Sequence, residues 1–382
     1  APGFARWIDA IEQEQEAGPR RQLIDEFVAA NPRSPVIEEN IAHFFYRGPA
    51  RDVALASPLF GSRQERQMQR VGDLFYYAIQ LPNDQRADYS LFVDFASQAD
   101  PRNPRPAFES AVFIDQMEIR LATTRDCDPV WMSWFAMPDW KSPGWLPDLE
   151  LDDRHAMAGR TVEYALSENS RLDVYLPPGY AEGTQRYPVV YVLGPDARSL
   201  GRLDSVAESL IRTARISPCL LVFLPQKLGE PDILQYPAYL TGNVIPAIDQ
   251  EFRTHPDREQ RAILATGFYA PLAMYVATEC QQFFGATGLQ SPYILGASAE
   301  QVAEKFARLD REHRVYCEWG RFDLHCPTEN WDMRRSAEKL FQAIQQNQGM
   351  SIQGGTVNDT TGWQSWRLRM DRVLSVLVGK PE

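Results

Sequence analysis

The second half of this chain alternates short, continuous apolar runs with segments of helical periodicity, and this alternation constrains the fold more than any other feature. The runs are Arg171–Leu176, Val189–Leu193, Leu220–Leu224, Ala262–Ala265 and Val315–Trp319. Unbroken apolar runs are typical of strands buried on both faces, and the helices between them cover both faces of a parallel sheet. The residues after Arg160 are therefore predicted to form a doubly wound α/β domain that ends in a long helix around Trp366 to Val378.

The first third of the chain follows two other patterns. Apolar residues three and four apart, interrupted at Gly18-Pro19, predict two short amphipathic helices. Short β-rich runs separated by turn residues come next, and they begin at Ile41, Asp52, Leu74 and Tyr89. Such spacing is typical of antiparallel sheets. We predict a helical segment over residues 1–34 and an all-β sandwich of the immunoglobulin type over residues 35–122.

Proline and tryptophan are concentrated between these two regions. The tryptophans are Trp131, Trp134, Trp140 and Trp145. We predict an irregular connector over residues 123–159, followed by the α/β domain over residues 160–382. Four nearby indoles could form a ligand platform or a sugar-stacking surface, but we favour packing between domains, because large aromatic side chains dominate buried interfaces.

Composition excludes several classes of function. The 382 residues carry a net charge of −12, which opposes binding to nucleic acid or to an anionic membrane surface. The chain has neither an apolar run long enough to cross a bilayer nor the features of a signal peptide at its start, although a removed leader would leave no trace. The cysteines are Cys127, Cys219, Cys280, Cys317 and Cys326, an odd and scattered set. They favour reduced thiols in a cytoplasmic protein, and we predict neither a metal site nor a cofactor.

The segment Arg261–Tyr275 combines a strand, a tight turn and a helix. Pro271 suits the first turn of that helix. The layout is that of a nucleophile elbow in an α/β-hydrolase, in which a reactive side chain lies at the turn. In this chain Gly267 lies there. Glycine tolerates the unusual backbone of such a turn, but it cannot attack a carbonyl carbon.

Further strings, taken in order, resemble the enterochelin (ferric enterobactin) esterase-like proteins. The strings are Tyr46–Ala56, Asp100–Pro104, Val174–Tyr180, Asn243–Phe252 and Trp363–Arg367. Members of this family pair an immunoglobulin-like early-set domain with an α/β-hydrolase domain of the esterase D type. The resemblance covers nearly the whole chain, and it implies both the fold and the positions of a catalytic triad.

The resemblance also implies that most of this triad is lost. Gly267 replaces the serine of the family's Gly-x-Ser-x-Gly-Gly motif, and Thr361 stands where the family has its histidine. Asp323 alone matches the family's triad acid. In the loop expected to supply an oxyanion-hole amide, Pro195 has no N–H to donate. Gly267, Thr361 and Asp323 are therefore predicted to be vestigial triad positions, and only Asp323 retains suitable chemistry.

These departures favour a catalytically degenerate α/β-hydrolase-fold protein, retained to bind an unidentified small molecule or protein. The first alternative is an active carboxylic-ester hydrolase, acting on a siderophore or similar ester through a relocated nucleophile such as Cys326 beside His325. Neighbouring residues rarely point at each other, which weighs against that pair. The second alternative is carbohydrate binding through the sandwich. Tyr269, which replaces a family glycine, either fills the vacated cleft or contacts a ligand. The sequence does not indicate an oligomeric state.

Overall fold

The computed structural model describes most of the chain. The described ranges are 3–61, 65–110, 129–146, 157–168, 170–194, 196–224, 233–309, 312–326 and 330–380. Cys127 and Pro195, considered above, lie outside them. The described residues divide into two compact units. The first holds the residues up to 110 together with 129–141 and 358–360, and the second holds those within 142–357 and 361–380.

Two helices open the first unit: α1 (Phe4–Gln13) and α2 (Ala17–Ala30). The break between them lies before Gly18-Pro19 and not at it, because proline is favourable in the first turn of a helix. Both helices cover one face of a sheet, where Phe27 packs edge-on against Phe45 with ring centroids 5.0 Å apart.

The rest of the first unit is an antiparallel sandwich, as predicted. Its strands are β1 (Val36–Glu38), β2 (Ile41–Arg47), β3 (Val53–Ala56), β4 (Glu65–Gln67), β5 (Gln69–Val71), β6 (Leu74–Gln80), β7 (Arg86–Val93), β8 (Ala96–Gln98), β9 (Pro106–Ser110) and β10 (Pro129–Ala136). Among the described residues one sheet has the order β1-β2-β6-β5, and the other has β4-β3-β7-β10-β9 with β8 beside β7. Phe44 and Phe75 of the first sheet meet Tyr89 and Phe135 of the second in one core.

Strand β10 corrects the predicted connector over residues 123–159. It pairs with both β7 and β9, so residues 129–136 belong to the sandwich. The high content of proline and tryptophan hid a proline-free, β-rich run from Val130 to Ala136, and proline is tolerated at the first position of a strand. Trp134 lies under the guanidinium groups of Arg86 and Arg105, which are 5.1 and 4.8 Å from its ring.

The second unit is built on an eight-stranded sheet, counted over the described residues. Its strands are β11 (Arg160–Ser167), β12 (Ser170–Leu176), β13 (Val189–Leu193), β14 (Leu220–Leu224), β15 (Arg261–Thr266), β16 (Ala286–Gln290), β17 (His313–Gly320) and β20 (Met350–Val357), while β18 (His325–Cys326) and β19 (Trp331–Asp332) form a separate ladder. The order is β11-β12-β14-β13-β15-β16-β17-β20. Strand β12 pairs antiparallel with both β11 and β14. Every other pair, from β14 to β20 in this order, is parallel. All five predicted strands are present.

Helices flank this sheet, which completes the predicted α/β-hydrolase architecture. They are α3 (Asp196–Ser199), α4 (Leu203–Arg212), α5 (Tyr236–Tyr239), α6 (Ile245–Glu251), α7 (Ala270–Glu279), α8 (Ala297–Phe306), α9 (Met333–Gln345), α10 (Trp363–Trp366) and α11 (Met370–Val378). The long C-terminal helix predicted around Trp366 to Val378 is wrong in its first turns. A 3-10 turn over Arg367–Arg369 separates α10 from α11 and directs Arg369 toward a buried carboxylate. Over the described part of the chain, no helix combines the length and apolar character needed to cross a bilayer.

Candidate functional site

The strand–turn–helix predicted around Gly267 is present. Strand β15 ends at Thr266, Gly267 has a φ of +55°, and α7 begins at Ala270. That φ lies in the left-handed region, which glycine adopts without steric cost. The Gly267 carbonyl accepts a hydrogen bond of 2.9 Å from the amide of Tyr293. This backbone hydrogen bond holds the turn, and Gly267 itself has no side chain that could react.

The indole of Trp366 packs against this turn. A Cβ atom placed on Gly267 would lie 3.2 Å from Cη2 of Trp366, so a side chain there would require the ring to move by a few tenths of an ångström. On its other edge the indole donates a hydrogen bond of 2.8 Å from Nε1 to Oγ of Ser291. Trp366 thus connects Gly267 to Ser291, which directly follows the neighbouring strand β16.

Asp323 is fully buried beyond the end of β17. The amide of Gly320 donates to Oδ2 at 2.9 Å, and the hydroxyl of Thr361 donates to Oδ1 at 3.0 Å. Burial raises the pKa of Asp323 to about 7, while hydrogen bonds from Ser291, Gly320 and Thr361 act in the opposite direction. The structure therefore brings Thr361 and Asp323 into direct contact, and it links Gly267 to them through Trp366 and Ser291.

Ser291 is a further member of this cluster. Its backbone has a φ of +47°, and its side chain is 2% exposed. No local pattern in the sequence identified its place, because strand β16, which ends one residue earlier, was not predicted. Carboxyl ends of parallel strands meet at one edge of a sheet, which brings Gly267, Ser291 and Asp323 to the same place.

A second buried carboxylate, Glu318, lies beside the cluster. Its Oε1 accepts hydrogen bonds from Nε of Arg369 at 2.8 Å and from Nε2 of Gln290 at 2.7 Å, and its Oε2 accepts one from the Tyr316 hydroxyl at 2.6 Å. Gln290 also donates to the carbonyl of Trp366 at 3.0 Å. This network fixes the C-terminal segment to the end of β17. The sequence analysis assigned no role to Glu318.

Tyr269 fills space beside the loop that follows β13. A Cβ atom on Gly194 would lie 3.2 Å from Cδ2 of Tyr269, and Gly194 has a φ of +110°. The ring also packs against the main hydrophobic core of the unit. Pro195 lies outside the described residues, so the contact between this loop and Tyr269 is described through Gly194.

The adjacent His325 and Cys326 do not face each other. They lie in strand β18, where successive side chains point to opposite sides. Cys326 is fully buried, whereas His325 is partly exposed and places Nδ1 2.9 Å from the backbone oxygen of Asp323. These two side chains therefore do not assemble into a thiol–imidazole dyad.

Three partly exposed aromatic side chains line the area next to the elbow, and we call them the aromatic wall. They are Phe268, Tyr293 and Trp331. Ring centroids are 4.4 Å apart between Phe268 and Tyr293, and 6.2 Å apart between Tyr293 and Trp331. The sequence analysis did not group them, because they come from three separate segments. In the first unit, Trp134 and Trp140 are also partly exposed, with ring centroids 5.6 Å apart, and Phe95 is exposed at a hairpin turn.

Comparisons with known proteins agree with this fold. A family model described as "putative esterase" matches residues 164–374. Among solved structures, the enterobactin esterase Fes from Shigella flexneri, in the presence of enterobactin, superposes with a TM-score of 0.66 at 14% identity, covering 87% of this chain and 91% of that one. The ferric enterobactin esterase from Salmonella typhimurium gives a TM-score of 0.67 at 14% identity, covering 92% and 98%.

A curated relative, the uncharacterized protein YjcH of Bacillus subtilis (strain 168), is 24% identical over 139 residues, or 34% of this chain. The matched region spans 58% of the length of that relative. The superpositions on the two solved structures cover 87% and 92% of this chain, which establishes the fold. Because the family model matches more than half of the 382 residues, the chain belongs to the putative esterase family.

Proposed function

We propose that this chain is a catalytically inactive member of the esterase family that binds a ligand or partner at the aromatic wall. The observation that carries the proposal is the turn at Gly267, where the position of a hydrolase nucleophile has no side chain. Acyl transfer to an enzyme begins with attack by a hydroxyl, a thiol or a similar group. With hydrogen alone at this position, the turn retains the shape of an elbow without its chemistry.

The partner of Asp323 supports the same conclusion. In a triad the acid orients an imidazole and stabilises its cationic form. Here the group in contact with the Asp323 carboxyl is the Thr361 hydroxyl, which cannot shuttle protons near neutral pH. Three neutral donors and the charge of Arg369 do not offset the cost of burying the carboxylate, so the pKa of Asp323 is raised to about 7. The donors that hydrogen-bond to this carboxyl are all neutral, whereas a triad acid has an imidazole as its partner.

Tyr269 adds a third argument. Its ring lies against Gly194, in the loop expected to contribute to an oxyanion hole. An oxyanion hole needs open space within hydrogen-bonding distance of its donors. A bulky ring beside this loop reduces that space. The residues present at positions 267, 269 and 361 therefore all disfavour catalysis.

The aromatic wall provides the basis for a binding role. It lies at the carboxyl ends of the parallel strands, where open α/β sheets hold their ligands. Partly exposed aromatic rings offer large contact areas at small entropic cost, and they are common in binding surfaces. We therefore infer that Phe268, Tyr293 and Trp331 provide the contact surface of the retained cleft.

The first prediction is that the purified protein does not hydrolyse a short-chain p-nitrophenyl ester above the rate of a Cys326→Ala variant and of buffer. A spectrophotometric assay with and without a thiol-directed inhibitor measures this. Turnover that disappears in Cys326→Ala, or in Ser291→Ala, would establish a relocated nucleophile and end the inactive-scaffold proposal.

The second prediction concerns the wall itself. The fluorescent apolar probe 1-anilinonaphthalene-8-sulfonate should bind the native protein, and the double variant Tyr293→Ala/Trp331→Ala should weaken that binding about fivefold or more. Phe95→Ala is the matched control, since that side chain is 85% exposed in the other unit and should leave the wall unaffected. Equal loss in both variants would assign the probe to general surface binding.

A further inference from the structure

The two edge strands of the eight-stranded sheet differ in how they are protected. Strand β11 carries Arg160 and Glu163, and Glu163 forms an ion pair with Arg171 of the next strand. Charged side chains on an edge strand discourage pairing with another chain. At the opposite edge, β20 (Met350–Val357) contains neither a charged residue nor a proline.

The absence of charge extends well beyond β20. No charged residue occurs between Lys339 and Asp359, in a chain of which 24% is charged and whose net charge is −12. Two copies of such a chain repel each other on average. That repulsion is weakest along this uncharged strip, which makes it the region where a second copy can approach most closely.

Among the described residues, no strand pairs with β20 on the side away from β17. The backbone oxygen of Val357, the last residue of the strand, accepts a hydrogen bond from the amide of Arg321 at 2.7 Å. The backbone oxygen of Gly349, just before the strand, accepts one from the amide of His313 at 3.3 Å. Both carbonyl groups therefore point toward β17. Backbone groups alternate between the two sides of a strand. Ile352 and Thr356 therefore direct their N–H and C=O groups away from β17.

The side chains of β20 leave this edge accessible. Met350 and Ile352 pack against the core, whereas Ser351, Gln353 and Thr356 are exposed, uncharged hydrogen-bonding residues. Pairing with β17 continues through all eight residues without a change of register. Uncharged polar residues can hydrogen-bond across an antiparallel pair, while like charges placed opposite each other destabilise it.

From these observations we propose that two copies of this chain associate through β20. The two strands run antiparallel about a two-fold axis and join the two eight-stranded sheets into one continuous sheet. A two-fold arrangement places Gln353, near the centre of the strand, close to its equivalent in the second copy. The interface is formed by the α/β unit and is separate from the aromatic wall, so it stands whether or not the proposed function holds.

Sedimentation equilibrium of the full chain from about 1 µM to about 1 mM tests this proposal. The native protein should show a concentration-dependent dimer. Gln353→Lys should weaken it about tenfold or more, because two like charges would then face each other. Gln301→Lys, an exposed substitution of the same charge on α8 and outside the uncharged strip, is the matched control and should leave the dimer unchanged.

Charge complementation separates this interface from any other. Mixing Gln353→Lys with Gln353→Glu should restore association, because opposite charges then meet across the two-fold axis. Gln353→Arg with Gln353→Asp repeats the test at the same position if either variant fails to fold, as judged by circular dichroism. A native protein that is monomeric at every concentration, a dimer that resists Gln353→Lys, or equal loss in Gln301→Lys would each overturn the proposal.

Discussion

Glu318 and Asp323 are two buried carboxylates at the same end of β17, and they have opposite kinds of partner. Glu318 contacts a guanidinium group, that of Arg369, together with an amide and a phenol. Asp323 contacts two hydroxyls and a backbone amide, all of them neutral. A buried carboxylate is tolerated as an anion when a cation compensates its lost hydration, and otherwise it retains its proton to higher pH.

Under the proposed function, this difference separates a structural carboxylate from a vestigial catalytic one. The partners of Glu318 anchor α10 and the following 3-10 turn to the end of β17. The family resemblance gives Asp323 the position of a triad acid, where Thr361 offers it only a hydroxyl. If the proposed function holds, catalysis does not account for the burial of Asp323, and two substitutions test this contrast.

The larger effect is expected on the Glu318 side. Arg369→Ala should lower the free energy of unfolding by about 3 to 5 kcal/mol, because it leaves Glu318 buried without its cation. Urea denaturation at neutral pH measures this loss. Adding Glu318→Gln to Arg369→Ala should restore part of the stability, since the unpaired charge is then removed. A loss below about 1 kcal/mol would mean that Glu318 does not depend on Arg369, and the contrast would fail.

The smaller effect is expected on the Asp323 side and has the opposite sign. Asp323 in the unfolded chain releases its proton near pH 3.8, whereas the folded protein holds it until about pH 7. Folding therefore binds a proton between these values, so the contribution of Asp323 to stability declines as pH rises from about 4 to 7 and is constant above that. Asp323→Asn should thus raise the free energy of unfolding by about 2 to 4 kcal/mol near pH 8 and flatten this dependence.

Denaturation curves of Asp323→Asn and the native protein, collected across this pH range, provide the measurement. Thr361→His sharpens the test, because an imidazolium beside the carboxyl should lower the pKa of Asp323 and reduce the slope by another route. A native protein whose stability rises from pH 4 to 7 through Asp323 would show that this carboxyl is compensated in the same way as Glu318.

The central strands were predictable because their apolar runs report burial on both faces. The edge strands β11 and β20 were not, since their residues alternate in exposure and contain few long apolar side chains. Strand β16 was missed as well, because Thr287 and Gly288 interrupt its apolar character although every residue of it is buried. These three strands are buried by neighbouring elements of the fold, and a local sequence pattern does not record that burial.

In the site, too, some features were predictable from the sequence and others were not. The positions of Gly267, Thr361 and Asp323 followed from a resemblance in motifs, and the contact between Thr361 and Asp323 is a geometric fact that motifs alone do not contain. The link from Trp366 to Ser291 joins residues 75 positions apart. Contacts of this kind depend on how strands and helices assemble, and a single sequence carries no direct signal for them.

The left-handed turn at Gly267 has a further consequence for the history of the protein. A residue with a side chain in that conformation stores about 1 to 2 kcal/mol of strain, which a working hydrolase must balance elsewhere. Glycine adopts the same backbone conformation without this strain. Under the proposed function, glycine at position 267 removes both the nucleophile and this strain, so stability and reactivity do not compete at this turn.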